Sequence, residues 1–83
     1  MDTQSKLRQL LDDTLNLQGR VSTFESETPL LGAVPELDSM GVVALITALE
    51  ERFGLSVDDD EIDGAVFQTW GSFLSFVEDK LRG

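Results

Sequence analysis

Leu37-Asp38-Ser39-Met40-Gly41-Val42-Val43-Ala44-Leu45-Ile46-Thr47-Ala48-Leu49-Glu50-Glu51-Arg52-Phe53-Gly54 reads as one helix with both of its ends written in. Val42, Leu45, Ile46, Leu49 and Phe53 recur at i, i+3, i+4, i+7 and i+11, so they share a face, and that face is expected to be core. Asp38 or Ser39 can cap the start, because either side-chain oxygen accepts from the unpaired N–H groups of a first turn. Gly54 suits a left-handed stop. The predicted helix therefore runs from about Ser39 to Phe53.

The opposite face is unusual. At about 100° per residue, Met40, Ala44, Thr47 and Glu51 lie away from the apolar stripe, with Val43 at its flank. A surface helix of a small domain is normally polar there, so a methionine and a valine beside small residues point to a surface that another protein covers. Ser39 stands at the head of this face. An anion attached to its hydroxyl would lie at the positive end of the helix dipole, among donors that favour phosphate.

Working outward, Leu7, Leu10, Leu11 and Leu15 have helical spacing from about Thr3 to Leu17, with Gly19 as the expected stop. Residues 18–37 carry Gly19, Pro29, Gly32 and Pro35 and read as a long irregular loop. Its Val21, Phe24, Leu30, Leu31 and Val34 predict that it packs down onto the helices. Asp58 to Gly64 is consistent with a short acidic helix over about 59–64, pinned by Ile62 and by Val66 or Phe67. Thr69 then caps a last helix, about 70–82, in which Trp70, Phe73, Leu74, Val77 and Leu81 repeat the core spacing. Lys80 and Arg82 suit its C-terminus. The fold class this predicts is all-α: an antiparallel bundle of three long helices plus one short helix, in a single domain spanning 1–83.

Composition narrows the function. With 83 residues the chain can bury a modest core but not an elaborate enzyme pocket. A net charge of −10 argues against nucleic acid and anionic lipid, and favours partners with basic patches. Thirteen of the sixteen acids lie between Val21 and Asp79, where Arg52 is the sole basic residue, so the middle of the chain is an acidic field. With neither cysteine nor histidine, disulfides, thiolate zinc sites and triads of the usual kind are excluded, and no catalytic or metal residue is assigned. No apolar run reaches the length of a membrane span, and no secretory signal opens the chain. A cytoplasmic monomer is expected.

Joined to the long loop before it, the acidic segment after it and the Phe67-Gln68-Thr69-Trp70 entry to the last helix, Leu37-Asp38-Ser39-Met40 through Glu50-Glu51-Arg52-Phe53-Gly54-Leu55 resembles the acyl carrier proteins. These form part of the wider phosphopantetheine carrier family, and the resemblance covers nearly the whole chain. It implies that Ser39, with Asp38 as the adjacent motif acid, is the attachment point for a covalent 4′-phosphopantetheine arm. A carrier-protein synthase, the phosphopantetheinyl transferase, would install that arm from coenzyme A. The arm supplies the thiol that the chain lacks, and acyl or aminoacyl groups would ride on it as thioesters between loading, condensing and acyl-transferring enzymes. The carrier itself would be no enzyme.

Two departures from the family pattern stand out. Met40 replaces the usual leucine, a near-isosteric change. Gly41 and Ala44 stand where fatty-acid-type carriers generally place acids on the outer face. Met40, Val43, Glu50 and Glu51 are therefore the expected docking residues, on a surface less ionic than that of a housekeeping carrier, which implies a dedicated fatty-acid- or polyketide-like pathway. Two other classes of function stay open: an unmodified helical interaction module in which Ser39 only caps its helix, and an acidic divalent-ion binder. For the latter, Asp59, Glu61, Asp63 and Gly64 match the opening of an EF-hand loop, but Phe67 and Trp70 stand where later ligands belong. A solvated acidic segment is the better account.

Overall fold

The computed structural model describes residues 2–62 and 64–82, the side chain of Asp59 excepted. Among these residues there are three α-helices: α1 (Thr3–Leu15), α2 (Ser39–Phe53) and α3 (Trp70–Arg82). Short 3-10 turns at Arg20–Thr23 and Asp59–Glu61 interrupt the two connections. Among the described residues there is no strand, only one antiparallel bridge between Pro29 and Thr69. The short acidic helix expected over 59–64 is thus a single 3-10 turn, and Asp63, part of both that helix and the calcium-like spacing, lies outside the described residues.

Helix α1 begins where Asp2 Oδ1 accepts from Ser5 N at 2.7 Å, a bond that holds the Asp2 carboxyl below its ordinary value. It ends two residues before the expected Leu17. Asn16 adopts a left-handed conformation (φ 56°), which asparagine tolerates, and Leu17 turns back into the core. The four leucines of its stripe, Leu7, Leu10, Leu11 and Leu15, are all buried, and α1 is the element on which α2, the first 3-10 turn and α3 all pack.

The core gathers these leucines with Leu17, Val21, Phe24, Leu30, Val34, Leu37, Leu45, Leu49, Phe67, Trp70, Phe73 and Val77. Four of the five loop residues expected to pack down do so; Leu31 is 48% exposed. Leu81 is also largely exposed, because α3 runs past the core before its last turn. At the α3 entrance Ser72 N donates to Thr69 Oγ1 and Thr69 N donates to Ser72 Oγ, both at 3.1 Å, so each residue caps the other.

What positions the start of α2 is the connection before it. Leu30 N and Leu31 N donate to the carbonyls of Gln68 and Phe67, while Trp70 N and Gly71 N donate to those of Thr28 and Ser26. A Cβ on Gly71 would come within 2.7 Å of the Ser26 carbonyl oxygen, so glycine is what lets the two backbones meet. From the other side Arg8 donates to the carbonyls of Val21 and Phe24 and lies 4.8 Å over the Trp70 ring. The loop is fastened on both edges before it delivers Ser39.

Candidate functional site at the start of helix α2

Asp38, not Ser39, is the cap: its backbone is extended and its Oδ1 accepts from Gly41 N at 2.8 Å. Capping by Asp38 releases the serine. Ser39 is the first helical residue, it is exposed, and its hydroxyl makes no hydrogen bond among the described residues. Its position at the head of a 15-residue helix puts that hydroxyl beside the unpaired donors of the first turn.

Gly41 fixes this turn against the body of the protein. It is buried, and a Cβ there would lie 2.5 Å from the Glu36 carbonyl oxygen and 3.2 Å from Leu15 Cδ2. This corrects the expectation that position 41 belongs to the outer face: it has no room for an acid, and its glycine allows close approach rather than marking a missing charge. The buried meridian of α2 runs through Gly41, Leu45 and Leu49, with Val42, Ile46, Ala48 and Phe53 only partly buried. It is rotated by roughly 60° from the stripe the sequence pattern favours.

The remaining expected site residues separate into two groups. Met40 is 75% exposed and Val43 59% exposed, with Ala44, Thr47 and Glu51 also facing solvent. Glu50 differs from them in setting: it is half-buried, and its Oε2 accepts from Val57 N at 2.9 Å, which also ties down the chain leaving α2. Arg8, and Arg20, which pairs with Glu36 just before the motif, are residues that sequence reading did not connect with the site, and the close approach at Gly41 is a role it did not disclose.

Residues 5–74 match the family described as "Phosphopantetheine attachment site". The chain belongs to that family. It is 34% identical over 74 residues to an acyl carrier protein of Helicobacter acinonychis, covering 88% of this chain and 87% of the relative. It also superposes on the solution NMR structure of a holo acyl carrier protein from Nitrosomonas europaea with a TM-score of 0.89, at 52% identity and with both chains fully covered. The protein is thus an acyl carrier with the carrier fold and a covalent 4′-phosphopantetheine, a carrier and not a catalyst. Family membership implies dealings with a phosphopantetheinyl transferase and with acyl-handling enzymes.

The first turn of α2 fits that group. A phosphodiester needs an accessible hydroxyl and gains from unpaired N–H groups, and Ser39 offers the first beside the second. The arm would supply a terminal thiol; this chain's own residues expose the hydroxyl and hold its helix in place. Among the described residues no group of three or more carboxylates is arranged to hold a metal ion, and no helix is long and apolar enough to cross a membrane.

Proposed function

We propose that Ser39 is the attachment residue and that the 83 residues work as one cytoplasmic carrier domain for a dedicated fatty-acid- or polyketide-like pathway. The observation that carries the assignment is an exposed hydroxyl, free of hydrogen bonds among the described residues, on a helix whose cap is supplied by its neighbour. Ser39 Oγ would take the phosphopantetheinyl group from coenzyme A: its O–P bond forms as the pyrophosphate bond opens, the nucleotide leaves, and the hydroxyl proton passes to a base on the transferase. A flexible arm then raises the effective concentration of its cargo at each docked enzyme.

Docking falls to Met40 and Val43 as apolar contacts, with Glu50, Glu51 and the outer side of Asp38 for electrostatic steering. Ala44, exposed and uncharged, supports a surface less ionic than that of a general fatty-acid carrier. Intact mass after incubation with transferase and coenzyme A tests the assignment: wild type gains the arm, and Ser39→Ala stays folded and gains nothing. Equal gain by both proteins would move the attachment elsewhere. For the docking face, Met40→Ala should speed dissociation from the cognate loading enzyme, whereas Glu51→Lys should slow association and flatten its salt dependence.

A further inference from the structure

Nearly every basic side chain in this acidic protein has a partner. Arg8 serves two carbonyls, while Arg20, Arg52, Lys80 and Arg82 pair with Glu36, Asp13, Glu61 and Asp79. Among the described cations the Lys6 ammonium alone makes no ion pair or hydrogen bond. It stands with Gln9, Arg52 and Phe53 around a half-open hollow of about 350 Å³, between the N-terminal half of α1 and the C-terminal end of α2. Along α2 this hollow is roughly 20 Å from Ser39, at 1.5 Å per residue.

Three features make the hollow more than a dent. Its size falls at the lower end of the range for small-molecule sites, about 300–1,000 Å³. Its lining combines two cations and an amide with one aromatic ring, in a chain whose net charge of −10 opposes anions elsewhere. The Arg52 pair with Asp13, at 3.1 Å, is half-exposed on both sides, so an incoming anion can draw the guanidinium away at little cost. Gln9 Nε2 donates to the other Asp13 oxygen at 2.9 Å and would keep that carboxylate satisfied when Arg52 turns.

We propose that this hollow binds an amphipathic carboxylate, its head between Lys6 Nζ and the Arg52 guanidinium and its short hydrocarbon tail against the Phe53 ring. The arginine fork matches a carboxylate in two-point geometry, the lysine adds a point charge, and the ring explains why a bare anion is not enough. The site stands apart from the attachment serine and does not rest on its assignment.

The test is NMR titration of the holo carrier with octanoate, acetate and 1-octanol as probes. Octanoate should give saturable shifts at Lys6, Gln9, Arg52 and Phe53. Acetate, lacking the tail, and octanol, lacking the head, should each bind more than about tenfold more weakly. Lys6→Gln and Arg52→Gln should each weaken octanoate by roughly tenfold while Ser39 still gains its arm mass. The proposal is overturned if octanoate shifts centre on core residues, if they fail to saturate, if octanol binds as tightly, or if neither variant changes the affinity. Loss of arm loading in wild type would instead count against the Ser39 assignment.

Discussion

The connection before α2 and the connection after it are built in opposite ways. Residues 26–31 are joined to 67–71 by four backbone hydrogen bonds, and the Arg20–Thr23 turn leading to them is held through carbonyls that accept from Arg8. Residues 55–62 hang on side chains: Val57 N on the Glu50 carboxylate, Glu61 on Lys80 at 2.6 Å, and Ile62 half-buried against the core. Backbone pairing closes both partners' polar groups at once, whereas a part-exposed ion pair competes with water. The contrast teaches where this carrier needs a fixed frame. Ser39 is delivered by the backbone-paired connection, and the chain leaving α2 is expected to open more easily.

The largest test of that contrast is Arg8→Ala. It removes two charge-assisted bonds and the contact with Trp70, leaving the Val21 and Phe24 carbonyls without their donor. We expect a loss of about 3 kcal/mol in urea unfolding, with m unchanged. A loss below about 1 kcal/mol would show that backbone pairing with 67–71 holds the loop without help.

Next comes Gly41→Ala, which asks whether Ser39 owes its place to close backbone approach. Its Cβ cannot fit 2.5 Å from a carbonyl oxygen, so α2 must shift away from Glu36, at a cost of about 1–3 kcal/mol. Arm transfer to Ser39 should slow. Ala44→Glu, on the exposed face, should change stability by less than about 0.5 kcal/mol and improve turnover with fatty-acid-type enzymes. Gly41→Asp should harm the fold and improve nothing. If Gly41→Ala unfolds and loads like wild type, the close approach is not what sets the serine.

These two positions show what the sequence could and could not disclose. Periodicity finds α2 and α3 because each needs an apolar face, and Asp38-Ser39 marks the head of α2 because a cap has a chemical signature. Glycine has no such signature. At 41 it read as an absent acid, although the structure makes it the point where backbone meets backbone. Nothing in the pattern around Arg8, seven positions before Leu15 on a helix with a clear leucine stripe, singles it out. Its carbonyl partners belong to a loop whose path no local pattern encodes. The pairing of 26–31 with 67–71 is equally silent, since main-chain bonds do not depend on side-chain identity. The bond that Glu50 accepts is hidden for the same reason, its partner being the Val57 amide.

A small effect on global stability is also expected at Lys80→Met, and it bears most directly on the loose connection. The Lys80 pair with Glu61 is only part-buried, so solvent screens it and global stability should fall by less than about 1 kcal/mol. Locally the change should be plain. Glu61 closes the 3-10 turn, whose backbone bond runs from Glu61 N to Asp58 O, and cutting its anchor frees that turn from α3. Amide exchange should quicken at residues 57–62 and stay as in wild type at Leu30, Leu31, Trp70 and Gly71, whose amides are bound across the stiff connection. Moderate salt should mimic the variant in wild type by screening the same pair. Faster exchange at Leu30 and Leu31 as well would mean that the two connections open together, and that Ser39 is carried on a frame no stiffer than the chain that follows it.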